Sequence, residues 1–179
     1  MKLMEPRYAI ALRPNRHLTF CTFDYRLSAL EARVAAAKYV MQGRSYGVSA
    51  LVLAGRKGSG KTHLLNAAAN RVLEDNSISL SLLSAARFEA EYDDAMHFND
   101  WPVWQQRFEH ENLLAIDDID QLFKRAELAD VLLHILKARA LAKRKTIVTV
   151  NLHNDIESVC TLKDYLLSQR LVTLGARHH

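Results

Sequence analysis

Cysteine is nearly absent from this 179-residue sequence: Cys21 and Cys160 are the two present, and neither sits in a CxxC or Cys/His spacing. That excludes a disulfide scaffold and a thiolate zinc site, and both cysteines read as free thiols of a reducing compartment. No apolar run approaches the about 18–20 residues that a membrane span needs. The opening MKLMEPRYAIALRP lacks an apolar stretch of signal-peptide length. A cytoplasmic protein without membrane contact is therefore expected. Strong charge of one sign is lacking too. The formal net charge of +4 permits contact with nucleic acid but does not argue for it. There is no internal repeat, low-complexity tract or linker, so the length points to one domain with a sizeable core.

What is present is an alternation of strand-length apolar runs with segments of helical period. That is the signature of an α/β fold with a mostly parallel sheet. Ser28 followed by Glu31 reads as a capping box opening a helix to Met41, with Leu30, Val34, Ala37 and Met41 on its apolar face and Gly43 as a stop. Ala50 to Ala54 reads as a buried strand, and a helix from about Lys61 to Leu73 follows. Ile78, Leu80 and Leu82 alternate with Ser77, Ser79 and Ser81, which predicts an edge strand with one wet face. A helix is expected after Ser84, and a short one capped by Asp100, with Tyr92 to Trp104 irregular. Leu113 to Ile116, Thr146 to Val150 and Leu171 to Leu174 complete five strands. A helix from Ala126 to Ala142 presents Leu128, Val131, Leu132, Ile135 and Leu136, and another runs from about Leu162 to Arg170.

The chemistry concentrates in one segment. Gly55-Arg56-Lys57-Gly58-Ser59-Gly60-Lys61-Thr62 fits GxxxxGK[ST], with an apolar strand running into it and a helix running out. The glycines let the backbone turn back, so that several N–H groups converge on one anion. The helix N-terminus adds its positive end. Lys61 is expected to reach the β- and γ-phosphates of ATP, and the Thr62 hydroxyl to hold Mg²⁺. Downstream, Leu113-Leu114-Ala115-Ile116 ends in Asp117-Asp118. At the C-terminal end of a parallel strand these carboxylates emerge beside the loop. Asp117 is then placed to orient the water shell of Mg²⁺, and Asp118 the attacking water. The plainer reading of the pair is a helix N-cap.

Asn151, at the tip of the strand from Thr146, reads as a polar group between the carboxylates and the γ-phosphate, or as a turn former. Arg170 reads as an arginine finger facing a neighbouring subunit's nucleotide, or as a surface arginine. The basic run Lys143-Arg144-Lys145 complements a helix C-terminus, with DNA contact as the lesser reading. Trp101 and Trp104 are expected in packing before base stacking or a partner patch.

Together these residues resemble the AAA+ ATPase domain of the DnaA/Hda replication initiator family. Leu18-Thr19-Phe20-Cys21-Thr22-Phe23 looks like the family's aromatic segment leading to the adenine pocket. Gly60-Lys61-Thr62-His63-Leu64-Leu65 is close to its GKTHLL, which brings His63 into the nucleotide-binding set. Leu114-Ala115-Ile116-Asp117-Asp118-Ile119 resembles its Walker B strand, and Thr149-Val150-Asn151 its sensor I. Ser168-Gln169-Arg170-Leu171 resembles its finger segment, although Gln169 replaces a small residue there. The resemblance implies residues 1–17 as an extension and 18–179 as an AAA+ base domain. Family members carry a helical lid after the last strand, and the initiator a helix-turn-helix domain beyond it. Neither is found before His179, nor is a glutamine-led clamp-binding peptide found at the start, which implies an open nucleotide site.

The implied function is ATP/ADP-switched work in initiation or regulation of replication. It would act through an initiator, a helicase or a clamp, with homo- or hetero-oligomers forming in the ATP state and weak hydrolysis. DnaC/IstB-type loaders or transposition helpers, and a non-hydrolysing adaptor, are the alternatives. A small-molecule kinase would need an acceptor lid and basic clamp residues that are not found.

Overall fold

The computed structural model describes residues 13–24, 27–42, 49–74, 79–152 and 161–175. Its elements are α1 (Leu27–Met41), β1 (Leu51–Gly55), α2 (Lys61–Leu73), β2 (Leu80–Ser84), α3 (Ala85–His97), α4 (Trp101–His110), β3 (Leu113–Asp117), a 3₁₀ segment (Ile119–Lys124), α5 (Ala126–Leu141), β4 (Lys145–Asn151), α6 (Thr161–Leu167) and β5 (Arg170–Leu174). The strands form one sheet in the order β2-β3-β4-β1-β5, and every pairing is parallel. The expected α/β fold with a five-stranded parallel sheet flanked by helices is what forms.

The inner strands are mainly apolar because both of their faces are covered, with Thr146 and Thr149 as buried polar members of β4. Alternate residues then serve opposite cores. Leu51 and Leu53 of β1, Leu113 and Ala115 of β3, and Ile147 of β4 pack on the side of α1 and α2. Val52, Leu114, Ile116 and Val148 pack on the side of α3 to α6. The same period carries Asp117 and Thr149 onto the α2 side, and this is how the site is assembled.

Three local expectations change. The α1 face built from Leu30, Val34, Ala37 and Met41 is not the buried one: Val34 is 41% and Met41 61% exposed, while Ala29, Ala32, Ala35, Ala36 and Tyr39 are buried. Alanines let the helix approach closely, and Tyr39 fixes it by donating to Ser49 O and accepting from Thr146 N. β2 does lie at an edge, but it has no wet face at Ser81, which is 5% exposed and hydrogen-bonded to Glu111. The stretch from Tyr92 to Trp104 is mostly helical. α3 runs to His97 and α4 starts at Trp101, so the irregular part shrinks to a turn in which Asn99 takes a φ of 56°. The Ser28 side chain, Gly43, Ser77, Ile78, Cys160 and residues 1–12 of the extension lie outside the described residues.

Of the basic run, Lys145 Nζ donates to Val40 O at the end of α1 (2.6 Å) and Arg144 to His110 O at the end of α4. These cations cap helix carbonyls. Trp104 is fully buried against Phe88, Tyr92 and Phe108, and Trp101 stacks on it half-buried. No helix among the described residues is long and apolar enough to cross a membrane.

Candidate functional site

β1 delivers its last residue, Gly55, into the loop, and α2 begins at Lys61. Gly60 precedes it with φ 99° and Gly58 turns with φ 79°, backbone angles that L side chains adopt only under strain. A Cβ on Gly60 would stand 2.7 Å from the Phe23 ring, whereas one on Gly58 would meet nothing within 4 Å. Gly60→Ala should therefore cost strain of about 1–3 kcal/mol plus displacement of Phe23. Gly58→Ala should cost the strain alone. Thermal melting of the two variants checks the order, and equal losses would mean that Phe23 yields freely.

Lys61 is buried and donates to Gly55 O and Arg56 O, each at 3.0 Å. Burial pulls its pKa down, while the carboxylates of Asp118, Asp117 and Asp120 push it up. Ser59 Oγ is buried with no hydrogen-bond partner among the described residues, and its amide turns back onto Arg56 O. A buried ammonium satisfied by loop carbonyls and an orphaned hydroxyl in the same turn fit a phosphate group.

The acidic strand tip meets this loop. Thr62 Oγ1 donates to Asp117 Oδ2 at 2.7 Å. Thr149 Oγ1 donates to Asp117 Oδ1 at 2.5 Å and accepts from Asp118 N at 2.8 Å. Asn151 Nδ2 donates to Asp118 Oδ1 at 2.8 Å, and its backbone N donates to Asp120 Oδ1 at 2.8 Å. Asp118 holds φ 55°, a left-handed turn that points the chain into the 3₁₀ segment. Side-chain oxygens of Thr62 and Asp117 at one spot make a hard-donor pair suited to Mg²⁺. The structure thus brings Lys61, Thr62, Asp117, Asp118 and Asn151 together.

Thr149 and Asp120 belong to the same network and were missed. Thr149 had a signal: it stands two residues before Asn151 and so faces the same way. Asp120 had none beyond its charge.

His63 faces elsewhere. Its Nε2 lies 2.9 Å from Thr19 O and its ring meets Phe23 edge-on at 5.1 Å. One and two turns on, Asn66 accepts from Asn15 N, and Asn70 donates to the carbonyls of Asn15 and Leu18. A polar stripe on α2 therefore ties residues 15–23 across the loop's exit. Arg56 and Lys57 are exposed on the loop. Arg170 is not brought to the loop. It opens β5 opposite Leu51, while the loop departs from Gly55 four residues further up that strand, about 13 Å away at strand rise. The helix before it ends at Leu167.

A phosphate loop between β1 and α2, joined to the carboxylate-tipped β3 that lies one strand beyond β4 in this sheet order, defines a P-loop AAA+ base domain. The family model described as Bacterial DnaA ATPase domain matches residues 15–174. The chain belongs to that family. It is 28% identical over 159 residues to the chromosomal replication initiator protein DnaA of Herminiimonas arsenicoxydans, covering 88% of this chain and 34% of that protein. The AMPPCP-bound DnaA structure from Aquifex aeolicus superposes with a TM-score of 0.84 at 20% identity, over 92% of this chain and 52% of that one. A DnaC helicase loader structure gives 0.67 at 17% identity, over 96% and 100%. The chain spans about a third or less of the length of the curated relatives it matches.

Proposed function

We propose that this chain binds ATP with Mg²⁺ at Gly55–Thr62 and uses it as a switch in the initiation or regulation of DNA replication. The observation that carries the reading is the continuous hydrogen-bonded path from Thr62 through Asp117 and Thr149 to Asp118 and Asn151. It couples the phosphate loop to the tip of a second strand and, through Asn151, to a third. A group seated in the loop therefore acts on the position of β3 and β4 together.

In this reading, loop N–H groups and Lys61 hold the triphosphate, and Lys61 leaves the Gly55 and Arg56 carbonyls to do so. Thr62 and Asp117 supply oxygen donors to Mg²⁺, which when bound neutralises phosphate charge. Asp118 accepts a proton from, or orients, the attacking water. Asn151 holds Asp118 in place and presents its amide to the γ-phosphate side. Arg170 lies at the far end of β5, so it serves a neighbouring subunit's nucleotide and not its own. The whole-family match and the higher structural similarity to DnaA favour an initiator-type partner over a loader's.

Isothermal titration with ATP·Mg²⁺ tests the switch. Saturable heat is expected, and silence up to high micromolar nucleotide would leave an adaptor with an unused loop. Where hydrolysis rises on assembly, Arg170→Ala should remove the rise while leaving binding unchanged. An unchanged rise would reassign the finger.

A further inference from the structure

A cavity of about 300 Å³ opens between α3, α4 and α5, apart from every residue of the nucleotide site. Its walls include Tyr92, Met96, Trp101 and Val131, with Glu127 and Asn99 as polar members. Around the α3–α4 turn, Met96, Phe98 and Val103 are 52%, 49% and 57% exposed. An apolar hollow with the exposed Met96 at its wall, next to a turn that leaves further large side chains in solvent, is the usual form of a recognition surface.

The charge at its edge selects the partner. Glu127 lines the cavity and accepts from Tyr92 Oη at 2.5 Å. Asp93 stands one turn before Met96 on α3, Asp130 one turn after Glu127 on α5, and Asp100 directly before Trp101. The cation brought here, Arg125, is already held by Glu89 and by both oxygens of Asp93. In a chain with a basic overall balance, this edge is locally acidic. A phosphate backbone would be repelled by it and a Lys or Arg drawn to it. Trp101 already has one ring face stacked on Trp104 and its neighbour Tyr92 edge-on.

We propose that this cavity docks one large apolar or aromatic side chain carried on a basic segment of a partner protein. The side chain fills the hollow beside Trp101, and the flanking cations lie against Glu127, Asp100 and Asp130. The surface is then a protein-docking site and not a nucleic-acid platform, and it works whether or not the phosphate loop is filled.

The test uses the full chain and three fluorescein-labelled probes. These are an amphipathic Lys/Leu peptide with one central Phe, the same peptide with Glu for each Lys, and an oligothymidylate. Anisotropy should show saturable binding of the basic peptide, weakening as salt rises, with no comparable binding of the acidic one. Met96→Lys changes an exposed residue at the mouth and should weaken the basic peptide at least about tenfold without moving the melting temperature. Leu141→Lys, at a position 87% exposed and outside the cavity, should leave binding as it was. The proposal is overturned if Met96→Lys binds like the parent, if the acidic peptide binds equally well, or if oligothymidylate binds and the basic peptide does not.

Discussion

Lys61→Met is expected to weaken ATP·Mg²⁺ binding by roughly thirtyfold to a few thousandfold, while the free protein melts within a few degrees of the parent. The first half follows from geometry. Lys61 is 4% exposed, at the first position of α2, so a phosphate beside it is met by a desolvated charge. Removing one member of such a pair costs about 2–5 kcal/mol, and each 1.4 kcal/mol is about a factor of ten. The second half follows from the free protein's own contacts. There the ammonium is held by two loop carbonyls, and its burial already opposes the charged form. Methionine keeps the aliphatic stem and removes a charge that burial disfavours, so stability changes little. The upward shift in melting temperature expected of the parent on adding nucleotide should shrink or disappear in the variant. A variant that retained this shift would show that the N–H groups of the loop suffice, and the role given to Lys61 would fall.

The sequence was most readable where one physical requirement dominates. A strand buried on both faces is mainly apolar, so β1, β3 and the Ile147–Val148 centre of β4 stood out. A loop that folds onto an anion needs Gly58 and Gly60 at positive φ, so the loop stood out as a motif. Readability failed where packing, not pattern, decides. On α1, alanines were buried and the larger Val34 and Met41 left outside, because close approach to the sheet outweighed side-chain size. On β2, Ser81 read as solvent-facing, yet it is buried beside Glu111. Within the site, Asp117, Asp118 and Asn151 were legible as strand tips. Thr149 and Asp120, which hold them in place, were not. Their roles arise from the β3–β4 pairing, which the spacing of Thr149 from Asn151 hints at and nothing local announces for Asp120. The tie from His63, Asn66 and Asn70 to residues 15–22 was hidden for the same reason.

Arg139 is the largest omission, and it yields the largest expected loss of stability. It sits on α5 among residues that read as an apolar stripe, and it is fully buried. Its guanidinium donates to Thr146 Oγ1 (2.9 Å), Glu111 O (2.9 Å), Phe108 O and Lys145 O. Three of these acceptors are backbone carbonyls, at the end of α4, before β3 and at the start of β4. One planar group therefore closes a junction where three chain segments meet. Burial lowers its pKa to about 10, with the Glu111 carboxylate opposing, so it is still charged at neutral pH. Arg139→Met removes the charge and its desolvation penalty, but it leaves the carbonyls unpaired at about 1–3 kcal/mol each. The orphaned acceptors outnumber the single relieved charge, and the net loss should be about 3–5 kcal/mol. That is a large part of the roughly 5–15 kcal/mol that holds a domain folded. Arg139→Lys should lose nearly as much, because a point charge with three donors cannot reach four acceptors spread around a plane. Urea denaturation should show both midpoints falling with the slope unchanged. A lysine variant as stable as the parent would mean that charge near Glu111, and not the fork of donors, is what the junction requires.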